Sequence, residues 1–235
     1  MKIFGLGHLL YLAIFIVLTT AGLICAKKFA KTEKSQNIIM KCIAIVLLLA
    51  VLANRLSFTL YLSTKQWYFM FPDQYCSMSG LVLSLTVLFG KKDNNIYHFV
   101  WFLALLGGIL TMIYPDFIRQ NPSFFYPPII TGLLHHSLEI VLVIMLLIFK
   151  QITITYKKWY CSLFGFTSYL TFGAFLINVL HFEDAFHIKT PFLYGTPYTI
   201  WVIAPMYVVL YSIVILTIEL VRKRKNKQLS QTTQG

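Results

Sequence analysis

This sequence predicts an all-α, polytopic membrane protein built as a bundle of seven transmembrane helices. Three observations carry that prediction. Of the 235 residues, 58% are hydrophobic and 12% are charged, about half the charged share of a soluble domain. The apolar residues gather in runs of about 18 or more, the length that crosses the hydrocarbon core. The basic residues fall in short loops beside those runs, where they act as topology signals.

The spans follow in order. Phe4–Ala26 opens the bundle. It is too long for the apolar region of a cleaved signal peptide, and Ile24 stands where a cleavage site wants a small residue. Asn37–Leu62 comes next and carries Asn54 and Arg55 near its far end. Asp73–Phe89 is the shortest, about 25 Å at the helical rise of 1.5 Å per residue. Ile96–Pro115, Pro128–Phe149, Trp159–Leu180 and Pro197–Val221 complete the set. Residues 1–226 therefore read as one transmembrane domain and 227–235 as a short polar cytoplasmic tail, with Ser230–Gly235 an unstructured end. No internal repeat of the kind common in transporters is visible.

The loop charges set the orientation. Lys27, Lys28, Lys31 and Lys34 lie on one side with Lys91, Lys92, Lys150, Lys157 and Lys158. Arg222, Lys223, Arg224, Lys225 and Lys227 join them. The opposite loops hold only Lys2, Lys65, Arg119 and Lys189. Basic loops stay cytoplasmic, so the N-terminus is expected outside and the C-terminus inside, in a multi-pass protein of the cell membrane. The net charge of +12 then matches anionic lipid headgroups. Zinc-finger, RNA-recognition and basic-zipper patterns are absent, so a nucleic-acid partner is not expected.

With direction known, each polar residue acquires a depth. His8, Asn54, Arg55, Cys76, Asp116, His135, His136, Glu139, Asn178 and His181 all fall toward the outer side, while His98 and Glu219 lie near the inner boundary. Ionisable residues inside a bilayer are costly and mark function or pairing. One reading of each alone is bland: Arg55 snorkels, Asn178 bonds a neighbouring helix, His181 is interfacial. Their coincidence in one layer points to a polar cavity in the outer half.

"FPDQYCSMSG", residues 71–80, holds the chemistry within that layer. Cys25, Cys42 and Cys161 fall near the inner face, which leaves Cys76 without a disulfide partner. Asp73 reads as the helix N-cap, which places Cys76 at the third helical position. There the helix dipole favours a thiolate and unpaired N–H groups face the sulfur. A nucleophilic cysteine needs a base, and "LLHHSLE" offers His135 and His136 at the same depth. Glu139 is four residues from one and three from the other, so it can orient either imidazole. Adjacent histidines point about 100° apart, so one of the two is expected to face Cys76.

Four stretches give the chain a family likeness: "FGLGHLLYLAIF", "FPDQYCSMSGLVLSL", "GGILTMIYPDF" and "LLHHSLEIVLV". "GAFLINVL" and "PYTIWVIAPMY" extend it. The sequence resembles the YwaF-like bacterial integral membrane proteins, related to the eukaryotic transmembrane protein 164 acyltransferases. The resemblance implies a cysteine nucleophile on one span working with a histidine on a later one, and acyl transfer between phospholipids through a thioester. The matching positions are Cys76 and His136. Tyr75 before the cysteine and the doubled histidine depart from the pattern, and the doubling leaves the choice between His135 and His136 open.

Three functions follow from these residues. The first is a membrane-embedded lipid acyltransferase or acyl hydrolase. Cys76, His136 and His135 are its catalytic candidates. Arg55 contacts a phosphate headgroup, and Asn178 and Glu139 are further substrate contacts. Membrane phospholipids and lysophospholipids are its partners, without a cofactor or metal. The second is a zinc-dependent intramembrane hydrolase using His135, Glu139, His181 and Asp116, although no helix carries two histidines at i, i+4. The third is a non-enzymatic transporter or sensor, with Gly107–Gly108 or Pro205 as helix breaks.

Overall fold

The computed structural model describes residues 3–61, 67–115, 118, 121–193 and 195–232. Lys2, Lys65, Asp116 and Arg119 lie outside the described residues. The described chain is helical: α1 (Leu6–Phe29), α2 (Glu33–Tyr61), α3 (Tyr75–Phe89), α4 (Asn95–Ile113), α5 (Pro127–Ile148), α6 (Trp159–Asn178) and α7 (Ile200–Thr232), with short 3₁₀ turns at Trp67–Met70 and Tyr156–Lys158. Six of these helices are long and apolar enough to cross a membrane, and α3 is a shorter apolar helix of 15 residues. The protein is a polytopic helical membrane protein. The helices match the expected spans closely, except that α7 runs on through the basic stretch to Thr232. Lys, Arg, Gln and Leu are good helix formers, and nothing in that stretch stops the helix.

By internal contacts the chain forms two compact units, Met1–Ile152 and Thr153–Gly235. In the first, α2, α3, α4 and α5 pack side by side, and α1 lies against α5. The inward face of α2 is a stripe at helical spacing: Met40, Ala44, Leu47, Val51, Asn54 and Phe58 are buried. Exposed Leu, Ile and Val along α1 and the other side of α2 are the surface a bilayer would cover. At the other end of this unit the turns are pinned by polar groups. Thr32 and Ser35 exchange backbone-to-hydroxyl bonds of 3.2 and 3.1 Å across the start of α2. The side chain of Asn94 accepts from the Ile96 and Tyr97 N–H groups and caps α4. His98, 1% exposed, pairs with Asp93 at 2.8 Å.

In the second unit, Arg222 donates to the Ile154 carbonyl at 2.8 Å and lies 3.6 Å from Glu219. Ser162 and Tyr207 are hydrogen-bonded between α6 and α7. The α6–α7 connection folds around Asp184, whose carboxylate accepts from the Lys189 and Thr190 backbone N–H groups at 3.0 and 3.2 Å. Phe186 is fully buried there beside Tyr169.

Candidate active site at the start of α3

The site begins with a buried cation. Arg55 on α2 is 1% exposed. Its guanidinium reaches the Asp73 carboxylate at 2.8 Å, donates through Nε to the Phe69 carbonyl at 2.8 Å and lies over the Phe58 ring. Arg55 thus ties the 3₁₀ turn and the entry to α3 back onto α2. The expected N-cap role of Asp73 is not what the structure has. Gln74 is the N-cap, without a side-chain cap bond, so Cys76 is the second helical residue rather than the third. The physical reason is charge: a guanidinium withdrawn from water needs a carboxylate more than a helix end does. For the same reason the Arg55 side chain is already engaged within the protein and is not presented as a free headgroup contact.

Cys76 stands one turn before Gly80 on α3 and is partly exposed, with its thiol free. The Thr111 hydroxyl of α4 lies beside the thiol, and the Glu139 carboxylate of α5 is an electrostatic neighbour of it. The ring of His135 lies against the Cys76 backbone. His136 stacks on His135, with ring centroids 4.5 Å apart and planes 21° from parallel. Glu139 is fully buried, with Oε2 at 3.7 Å from His135 Nε2 and 3.5 Å from His136 Nδ1. Cys76, His135, His136 and Glu139 therefore gather in one cluster, and Arg55 stands close enough to His135 to act on its charge.

Missing side chains make this closeness possible. A Cβ on Gly80 would come within 2.6 Å of His135 Nε2 and 3.0 Å of Val51. A Cβ on Gly107 would sit 2.8 Å from the Cys76 sulfur, and one on Gly108 would press on Ile140. Small residues let membrane helices approach closely, and here the space goes to an imidazole and a thiol. The Gly107–Gly108 pair does not break α4, which is continuous from Asn95 to Ile113, and α7 runs on through Pro205. The helix breaks on which a transporter reading leaned are therefore absent at both places. Gly80→Ala and Gly107→Ala are each expected to cost about 1–3 kcal/mol by overpacking. The first should displace His135 and the second should slow alkylation of Cys76, read by thermal melting and by thiol labelling of the purified protein.

Other residues of the expected polar layer take supporting places. His8 is fully buried and bonds the Met112 carbonyl at 2.9 Å, fastening α1 to α4. Asn54 donates to Thr131 at 3.1 Å and to the Pro128 carbonyl at 3.4 Å, fastening α2 to α5. Asn178 belongs to the second unit, is exposed, and donates to the Ala174 carbonyl of its own helix at 2.8 Å. His181 follows α6 in the left-handed region, also exposed. Reading the sequence missed Thr111 and Gly80, and took Gly107 only as a candidate helix break. A glycine one turn after Cys76 and a glycine–threonine pair on the next span were visible, but only packing shows which side chain each one faces.

The sequence profile of the TMEM164 family matches residues 3–221. The chain belongs to the TMEM164 family. Membership agrees with the resemblance carried by the four motifs around His8, Cys76, Gly107 and His135. No curated protein and no solved structure matches the chain. The TMEM164 match takes in both units, including the whole cluster on α3, α4 and α5 and Asn178 on α6.

Proposed function

We propose that this TMEM164-family protein is a membrane-embedded acyl-transfer enzyme acting on phospholipid esters, with Cys76 as nucleophile and His135 as its base. The observation that carries the reading is the position of Cys76: a cysteine outside any disulfide, on a partly exposed residue in the first turn of α3, with the His135 ring against its backbone. His136 is held in place by stacking and is the residue the family resemblance favours. His135 is preferred here because it occupies the space over Gly80 on the face of α3 that carries Cys76. Glu139 lies within reach of both rings and would stabilise an imidazolium.

The steps follow from those positions. His135 takes the proton of the Cys76 thiol as the sulfur attacks the ester carbonyl carbon. First-turn backbone N–H groups, which lack partners within the helix, suit the oxyanion that forms. The carbon–oxygen bond to the glycerol breaks, the imidazolium returns its proton to that oxygen, and a lysophospholipid departs. A thioester on Cys76 remains. A lysolipid hydroxyl, or water, then attacks the thioester while His135 takes its proton. The thiolate leaves and recovers that proton. Helices whose outer faces are apolar would give a lipid lateral access to such a site.

The direct test is to trap the intermediate. Protein in vesicles with phospholipid carrying a labelled acyl chain should acquire the label on Cys76, removable by neutral hydroxylamine and found by mass spectrometry of the Cys76 peptide. Acyl exchange without label at Cys76 would overturn the reading.

A further inference from the structure

Helix α1 is fastened to the first unit at both ends and stands away from it in between. Near its start, His8 bonds the Met112 carbonyl at 2.9 Å and the Tyr11 hydroxyl bonds Ser137 of α5 at 2.7 Å. Just past its end, the Gln36 side chain of α2 donates to the Ala30 carbonyl at 3.0 Å. Between these ties a groove of about 420 Å³ opens among α1, α2 and α5, from Tyr11 and Ser137 down to Ala26, Ile39 and Met145. Its walls are almost wholly apolar, and Ile14 and Leu18 on them stay more than half exposed. Gly22 lines it too, and a Cβ built there would meet no neighbouring atom within 4 Å.

Size and charge select the occupant. From Tyr11 to Ala26 the groove is about 22 Å long at the helical rise, so its mean section is about 20 Å². A helix about 10 Å across needs about 80 Å², whereas a single hydrocarbon chain is slender enough. A bilayer with a core of about 30 Å supplies chains of about 15 Å from each leaflet, so one chain fits along the groove. Left unfilled, the walls would forfeit their dispersion contacts. One end of the groove opens on cations. Lys27 follows Leu23 of the wall by one helical turn, and Lys28, Lys31 and Lys34 come next. All four are exposed, and among the described residues none is in an ion pair. At the other end Tyr11 and Ser137 are bonded to each other. We propose that this groove binds one acyl chain of an anionic phospholipid from the cytoplasmic leaflet, with its phosphate among Lys27, Lys28, Lys31 and Lys34.

The site goes beyond acyl transfer and does not depend on it. Its walls come from α1, α2 and α5, whereas the Cys76 sulfur lies between α3 and Gly107 of α4. A lipid seated there supplies the packing that α1 lacks between its ties.

The test uses full-length protein, delipidated in detergent and titrated with dioleoyl phosphatidylglycerol or dioleoyl phosphatidylcholine. Native mass spectrometry reads binding and thermal melting reads stability. One phosphatidylglycerol per chain is expected, bound about tenfold or more tighter than phosphatidylcholine, with a raised Tm. Gly22→Phe puts a ring into the groove and replaces glycine by a better helix former. It should keep the lipid-free Tm and weaken binding of both lipids by about tenfold or more. Changing Lys27, Lys28, Lys31 and Lys34 together to Gln alters only exposed side chains. It should erase the preference for phosphatidylglycerol while the chain still binds. Equal affinity of the wild type for the two lipids, unchanged binding in Gly22→Phe, or a dimer in place of a bound lipid would each overturn the proposal. Failure of thioester trapping at Cys76 would leave these readouts untouched.

Discussion

A Cys76→Ala protein is expected to lose acyl exchange by about 10³-fold or more while keeping its fold. The expectation has two parts. Losing the atom that forms the covalent intermediate removes the two-step route altogether, and nucleophile deletions of this kind are among the largest single-residue effects. The structural cost is small by comparison, because the residue is partly exposed and alanine removes only the sulfur, which lies against Gly107. Exchange of a labelled acyl chain between phospholipid and lysophospholipid in proteoliposomes, beside a melting curve, reads both parts. His135→Ala should cost about 10²–10⁴-fold in the same assay, the range of a general base, and more than His136→Ala. Full exchange by the Cys76→Ala protein would sink the nucleophile assignment, and a larger loss in His136→Ala than in His135→Ala would reverse the choice of base.

The second large effect is on stability. Arg55→Met is expected to destabilise the first unit by about 3–5 kcal/mol, the cost of leaving one member of a buried pair uncompensated. Arg55 is 2% exposed at the side chain against 18% for Asp73, and it also holds the Phe69 carbonyl. Asp73→Asn should cost less, because Asp73 has some access to water. The double change Arg55→Met with Asp73→Asn should recover most of the loss, since replacing both partners of a buried pair by groups that need no counter-charge is often close to neutral. Chemical denaturation in detergent reads all three proteins. If the single and double variants are equally unstable, the pair is not what holds the start of α3. Thiol labelling of Cys76 should rise in Arg55→Met, because the turn leading into Tyr75 would lose its tie to α2.

Much of this was legible in the sequence for simple reasons. Hydropathy places helices because the bilayer demands length and apolar character of any span, and these are one-dimensional properties. The expected spans at Trp159–Leu180 and Ile96–Pro115 fall within a few residues of α6 and α4. The spacing of His135, His136 and Glu139 likewise puts the two rings and the carboxylate together, because residues three and four apart share a helix face. Pairing across helices is a different matter. Asp73 looked like a cap because caps are local, but its partner is 18 positions away on α2. Arg55 looked free to meet a phosphate because its partner could not be seen from its own helix.

What the sequence alone determined, then, is the class of protein, its helices, its family and the residue types available for chemistry. Those follow from composition, periodicity and short motifs, which one chain carries along its length. Only the tertiary structure decided which residues meet: Arg55 with Asp73, His135 over Gly80 and against Cys76, Gly107 at the sulfur, and Asn178 turned back to its own helix. Such contacts depend on where one helix faces another and on side chains that glycine leaves out. A stacked pair of adjacent histidines shows the limit best. Helical geometry alone sets two neighbours about 100° apart, yet in the folded protein the two rings stack with centroids 4.5 Å apart.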